Sequence, residues 1–539
     1  MVKKFSMLAL AGLIALPAVA SASAGKAPSD LEAKIEELSR QLDALKAQMA
    51  KQSEVITEYG DRVDDMDEML EEKGESWDLA ARFKFYGDFR ARMDYYQADT
   101  VFSAGTPLQF PTGFSALAAG TSGGDLKNDT IFTNRFRLNM RVKATENVEF
   151  KGRLAMYKAW GMESTPEGIG DMYNNGTAMP IFDGNTTRTP DDNALRVDRA
   201  FVNWNNIGGM PIWFSIGRRP TTDGPPAQVR MGTDQRMATP IAYMDYPFDG
   251  ISLGYAYAWG NEALGTGRIR FCYGRGFENG LLDEAPGSYH IDDTDFAGLS
   301  WDVFKKGHRF MNIQSFKVFN LFNYPDFLDL YSEDNLIAPQ YGPQDTLGNM
   351  YHTTAIYMDK VNNFSYFIAG GWSRTEPDSS GMFNEYDMSL AAILGNGGVP
   401  PVIANTDSEN GYSIYVGVRY DIDDLGLKIG AEYNYGSRYW VAFTPGNDDL
   451  YNSKLATRGN AYEIYMIYDL PTGEAISKYA KTFVRLGWQY YDYNYSGIND
   501  WNLKPYDLDD ANDLAMLQSL GMNPIENANQ IYLSFDVYF

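Results

Sequence analysis

The chain has 539 residues, with 71 acidic against 46 basic side chains and a formal net charge of −25. That balance excludes a nucleic-acid partner, because a phosphate backbone needs a basic footprint. A single Cys excludes an intramolecular disulfide framework and any CxxC metal or haem site, and the length exceeds one ordinary globular core while suiting one large barrel.

Residues 1–24 read as a secretory signal peptide. Lys3 and Lys4 precede an apolar run from Met7 to Val19, and Ala18, Ala20, Ala22 and Ala24 form overlapping small-x-small cleavage sites. Cleavage after Ala24 is favoured; Ala20 and Ala22 also serve. The run is too short to span a bilayer and Pro17 interrupts it. No later stretch is apolar for long enough to form a membrane helix, so a membrane form of this chain must be a barrel.

Residues 25–78 form a second segment. Ile35, Leu42, Met49, Ile56, Val63 and Leu70 recur every seven residues, interleaved with Leu31, Leu38, Leu45, Gln52, Tyr59 and Met66. This a/d seam predicts a coiled coil, with Leu31, Ile35, Leu38, Leu42, Leu45, Met49, Ile56 and Val63 as self-association contacts. The other positions are charged and mostly acidic, so one helix alone could not bury the stripe. Gly74 marks its end.

From Leu79 to Phe539 the period becomes two. Sixteen strands are predicted: 79–97, 131–145, 148–160, 195–206, 211–218, 250–260, 266–277, 295–304, 308–319, 351–361, 364–373, 411–422, 426–436, 459–470, 480–492 and 530–539. Long connections alternate with short ones such as Glu146-Asn147 and Asn362-Asn363. An even strand number with long loops at one end and tight turns at the other predicts an all-β transmembrane barrel.

Phe136, Leu138, Met140 and Val142 alternate with Arg135, Arg137, Asn139, Arg141 and Lys143. Ile414, Val416, Val418 and Tyr420 likewise alternate with Tyr415, Gly417 and Arg419. The basic face requires water and the apolar face requires lipid or a core; a barrel in a bilayer supplies both. The lumen wall is expected to carry Arg90, Arg92, Arg135, Arg137, Arg141, Lys143, Arg153, Arg199, Arg219 and Arg270. In a narrow pore such charges focus the field and sort ions, here leaning toward anions.

The last ten residues alternate in the same way and stop on Phe539, an ending that resembles the closing strand of bacterial outer-membrane barrels. The whole chain resembles a general bacterial porin with a coiled coil in front, of a poorly characterised porin-like family. The resemblance implies a sixteen-stranded barrel, a homotrimer, and a third long loop folded into the lumen as a constriction. Here that loop is 219–249, in which Pro220, Pro225 and Pro226 stiffen the backbone and Asp223 and Asp234 would oppose the basic wall. The acidic Pro-Glu-Phe-Gly-Gly signature of enteric porin loops is absent.

Gly250-Ile-Ser-Leu-Gly254 matches a nucleophile-elbow string, but it lies within an alternating strand and lacks the strand-to-helix turn that the chemistry needs. No catalytic residue, cofactor or metal ligand is assigned, since the acidic clusters at Asp292 and Asp507 lack calcium-loop spacing. The expected function is passive diffusion of small hydrophilic solutes across the outer membrane. The alternative is a structural barrel that tethers the outer membrane to the cell wall, or sheathes a cytochrome in an electron conduit. A coil in the periplasm brings peptidoglycan within reach as a partner.

Overall fold

The computed structural model describes residues 33–51, 82–102, 107–109, 115–117, 124–161, 190, 193–219, 221–233, 241–279, 291–323, 345–396, 400–444, 446, 448–450, 453–473, 480–520 and 522–539. The chain separates into two units, Met1–Ala81 and Arg82–Phe539. In the first, residues 33–51 form a helix along which every residue is exposed, Ile35, Leu38, Leu42, Leu45 and Met49 included. Leu31, Ile56, Val63 and the signal peptide lie outside the described residues.

The second unit is built on strands β1 (Phe83–Thr100), β2 (Gly124–Lys143), β3 (Val148–Ala159), β4 (Arg196–Trp204), β5 (Ile212–Arg218), β6 (Asp249–Ala258), β7 (Thr266–Phe277) and β8 (Thr294–Lys306). They continue as β9 (Arg309–Phe322), β10 (Thr346–Val361), β11 (Phe364–Pro377), β12 (Asn410–Ile422), β13 (Leu427–Gly436), β14 (Gly459–Asp469), β15 (Lys481–Tyr493) and β16 (Ile525–Tyr538). Each strand pairs with its sequence neighbours, and β1 pairs antiparallel with β16, giving a closed sixteen-stranded barrel. All sixteen predicted strands are present. Several run further at the long-loop end than the periodicity indicated, β2 from Gly124 and β10 from Thr346. There the outer positions Lys127 to Thr130 are exposed and polar, so pairing persists where the apolar alternation has stopped.

The tight turns follow from local chemistry. Val361 pairs with Phe364 across two residues, and Asn362 takes φ 53° there. Lys306 pairs with Arg309, and Gly307 at φ 57° makes the reversal. Both are left-handed positions that Asn and Gly occupy most readily.

The sides of the barrel are inverted relative to a soluble protein. In β16, Ile531, Leu533 and Phe535 are exposed, whereas Gln530, Tyr532, Ser534 and Asp536 are buried. In β12, Tyr412, Ile414, Val418 and Tyr420 face out, and Ser413, Arg419 and Asp421 face in. At the seam, Gly87 N–H donates to the Phe539 carbonyl at 2.9 Å, and Phe539 N–H returns a bond at 3.0 Å. A Cβ on Gly87 would lie 2.3 Å from the Arg137 carbonyl oxygen, so only glycine allows this approach.

The core lies inside the barrel and comes largely from connections that fold into it. Tyr243, Trp440, Ala442 and Leu455 form one apolar cluster; Met244, Phe248, Val441, Phe443 and Trp501 belong to another. Burying each large side chain contributes about 1.5–3 kcal/mol. The wall makes room for them: a Cβ on Gly371 would sit 2.2 Å from the Trp440 ring.

Candidate functional site: the barrel lumen

β5 has only 7 residues, so the wall ends early and its connection turns inward. The neck closes where Arg219 N–H donates to the Phe248 carbonyl at 2.6 Å. At the near wall, Asp223 Oδ2 accepts from Arg137 at 3.0 Å, Arg153 at 2.8 Å and Arg199 at 3.4 Å. The loop then crosses the lumen. Arg419 of β12 donates to the Val229 carbonyl at 2.9 Å, and Arg485 of β15 to that of Arg230 at 3.1 Å.

The connection between β13 and β14, residues 437–458, also enters the lumen. Asp448 accepts from Arg90, Arg135 and Arg485, and its carbonyl accepts from Arg92 at 3.0 Å. Burial acts to raise the Asp448 carboxyl, but Arg90, Arg135 and Arg485 outweigh it and hold the group well below the usual carboxylate range. Asp449 pairs with Arg230 of the first loop, and Lys454 pairs with Glu432 and Glu463 of the wall. Met244 and Phe443 form a parallel β-bridge, with Asp245 N–H donating to the Phe443 carbonyl at 2.7 Å. The two loops therefore meet each other as well as the wall.

The wall cations named from the sequence divide into groups. Arg90, Arg92 and Arg135 surround Asp448; Arg137, Arg153 and Arg199 surround Asp223; all six are buried. Arg141 pairs with Glu149, and Lys143 is exposed near the short-turn end. Arg219 and Arg270 line a cavity, which Arg141 and Arg199 also border. In the loop, Pro225 and Pro226 are buried with Asp223, while Pro220 and Asp234 lie outside the described residues. Asp448, Asp449 and Lys454 were not singled out from the sequence. A signal existed: the run Trp440-Val-Ala-Phe443 is too apolar for a connection facing water.

The cavity has a volume of about 950 Å³. Lys84, Arg141, Lys151 and Lys305 line it with His308 near the short-turn rim, and Arg199, Arg219, Arg268 and Arg270 line it elsewhere. Met244, Phe248, Phe296 and Phe316 give it an apolar wall, and no carboxylate lines it among the described residues. Two other voids measure only about 50 and 10 Å³. Arg219 is half-buried, donates to Ser215 and lies 5.3 Å from the Phe201 ring centre. Burial pulls its guanidinium down to about 10, opposed by Cys272 and reinforced by repulsion from Arg270, yet it remains a cation at neutral pH.

These features define the class: a closed sixteen-stranded antiparallel barrel, apolar outside and charged inside, with loops folded into its lumen. The chain belongs to the family described as "Protein of unknown function (DUF3373)", whose model matches residues 125–539. Among solved structures it is similar to OmpT, an outer membrane protein of Vibrio cholerae, at 11% identity over 85% of this chain and 97% of that chain, with a TM-score of 0.37. It is also similar to OmpF of Salmonella typhi in complex with daunomycin, at 12% identity over 85% of this chain and 97% of that one, with a TM-score of 0.36. No curated protein matches.

Proposed function

We propose that the protein is a bacterial outer-membrane porin that passes small hydrophilic solutes and ions, anions ahead of cations. Its apolar outer face supports placement in a bilayer, since a closed barrel leaves no strand edge for lipid to meet. The observation that carries the reading is the row of inward arginines from Arg90 to Arg270 behind that apolar face. Loop 219–249 serves as the constriction, with Asp223 against the basic wall. Residues 25–78 form a periplasmic coiled coil that joins three copies and reaches toward peptidoglycan, after residues 1–24 are removed. The exposed apolar residues of helix 33–51 support that association.

Purified protein in a planar bilayer tests the reading. Stepwise currents are expected, with a reversal potential of anion sign in a potassium chloride gradient. Absence of steps, or a clear cation preference, would overturn it. The ion pairs that bridge the lumen favour one second reading, a closed barrel that anchors the coil as a tether. A silent bilayer combined with retention of the protein on purified cell wall would select that reading.

A further inference from the structure

The cavity is chemically unlike the rest of the lumen. Elsewhere the loops bring carboxylates to the arginines they touch, as Asp223 and Asp448 do. Here Arg219 has no carboxylate partner among the described residues; Ser215 and the Phe201 face are its side-chain contacts. Holding a guanidinium partly out of water without a counter-charge is costly, so the position favours an anion. Arg270 stands beside it, donating to Ser300 at 2.7 Å and sharing Asp302, 3.8 Å away, with Arg268. The volume of about 950 Å³ is that of a small-molecule site.

We propose that the cavity binds an organic anion that carries a carboxylate on an aromatic or aliphatic body. The carboxylate takes the donors of Arg219 and Arg270, as guanidinium groups bind carboxylates through paired N–H bonds. The body lies against the aromatic side of the cavity, where Phe316 is half-buried and Phe248 and Phe296 pack behind it. Lys84 near the short-turn rim draws the ligand in, beside Lys151, which pairs with Glu149 at 2.6 Å. The inference deepens the channel reading by naming a solute class, but its test reads occupancy and not current.

Cys272 is the reporter: it is the chain's 1 cysteine and it lines the cavity. The full-length protein in detergent is treated with N-ethylmaleimide, a neutral thiol reagent, and labelling is followed by mass. Saturating benzoate is expected to slow labelling about ten-fold, while benzylamine and sulfate leave it unchanged. Arg219→Gln is expected to lose the benzoate effect when its protected rate is compared with its own unprotected rate, which the loss of a cation beside Cys272 itself lowers. Equal protection by benzylamine or sulfate, retained protection in Arg219→Gln, or a Cys272 that never reacts would overturn the proposal. Should the variant not fold, benzoate against benzylamine on the unaltered protein decides alone. Protection in a barrel that passes no current would remove the channel reading and leave the site; currents without protection would do the reverse.

Discussion

Asp448 accepts side-chain hydrogen bonds from β1, β2 and β15 at once, through Arg90, Arg135 and Arg485. Removing it leaves three buried guanidinium groups facing one another. Asp448→Ala is therefore expected to lower barrel stability by about 3–5 kcal/mol, read from urea unfolding in detergent. The same carboxylate makes the loop acid-sensitive. Its folded pKa lies below the unfolded value of about 3.9, so its contribution is complete above that value and is lost as pH falls through the folded one. Protease nicking within 437–458 should stay flat at neutral pH and rise once pH drops below about 4. Nicking that rises between neutral and alkaline pH would contradict this account.

At the scale of elements, strands were legible because an apolar outer face and a polar, side-chain-filled interior enforce strict alternation, as in Phe136 to Lys143 or Ile531 to Phe539. Strand ends were less legible where β1 and β2 pair beyond the apolar belt, through residues such as Ala98 and Leu126. The lumen was half legible. Which arginines face inward follows from parity, but their partners Asp223 and Asp448 come from connections 86 and 358 residues away from the groups they meet. No periodicity encodes such contacts. The helical segment poses the opposite case: a seam is plain in the sequence, and Ile35, Leu42 and Met49 are exposed on residues 33–51. Such a stripe is stable only when covered by another helix. Deleting residues 25–78 is expected to reduce the crosslinked mass from a trimer to a monomer while the heat-sensitive gel shift of a folded barrel persists. Loss of that gel shift would show that the segment is needed for the barrel itself.

For the molecule as a whole, charge is separated by position. The chain carries a net −25, yet the cavity is lined by cations and, among its described residues, by no acid. The two inward loops fill the interior beside that basic space, and each is tied to both the wall and the other loop. Opening the lumen by releasing them would break several buried ion pairs, each costing about 3–5 kcal/mol when one partner is left behind. Thermal release is then rare, and on the proposed channel reading the docked state sets the conductance. Replacing residues 441–452 with a short Gly-Ser turn removes Asp448 and Asp449 together and leaves Arg90, Arg135, Arg230 and Arg485 without them. Single-channel conductance is expected to rise, and the reversal potential to move further toward the anion side, because the four arginines lose two of the carboxylates that offset them. A rise in conductance with no gain in anion preference would mean that these arginines do not face the permeating ion.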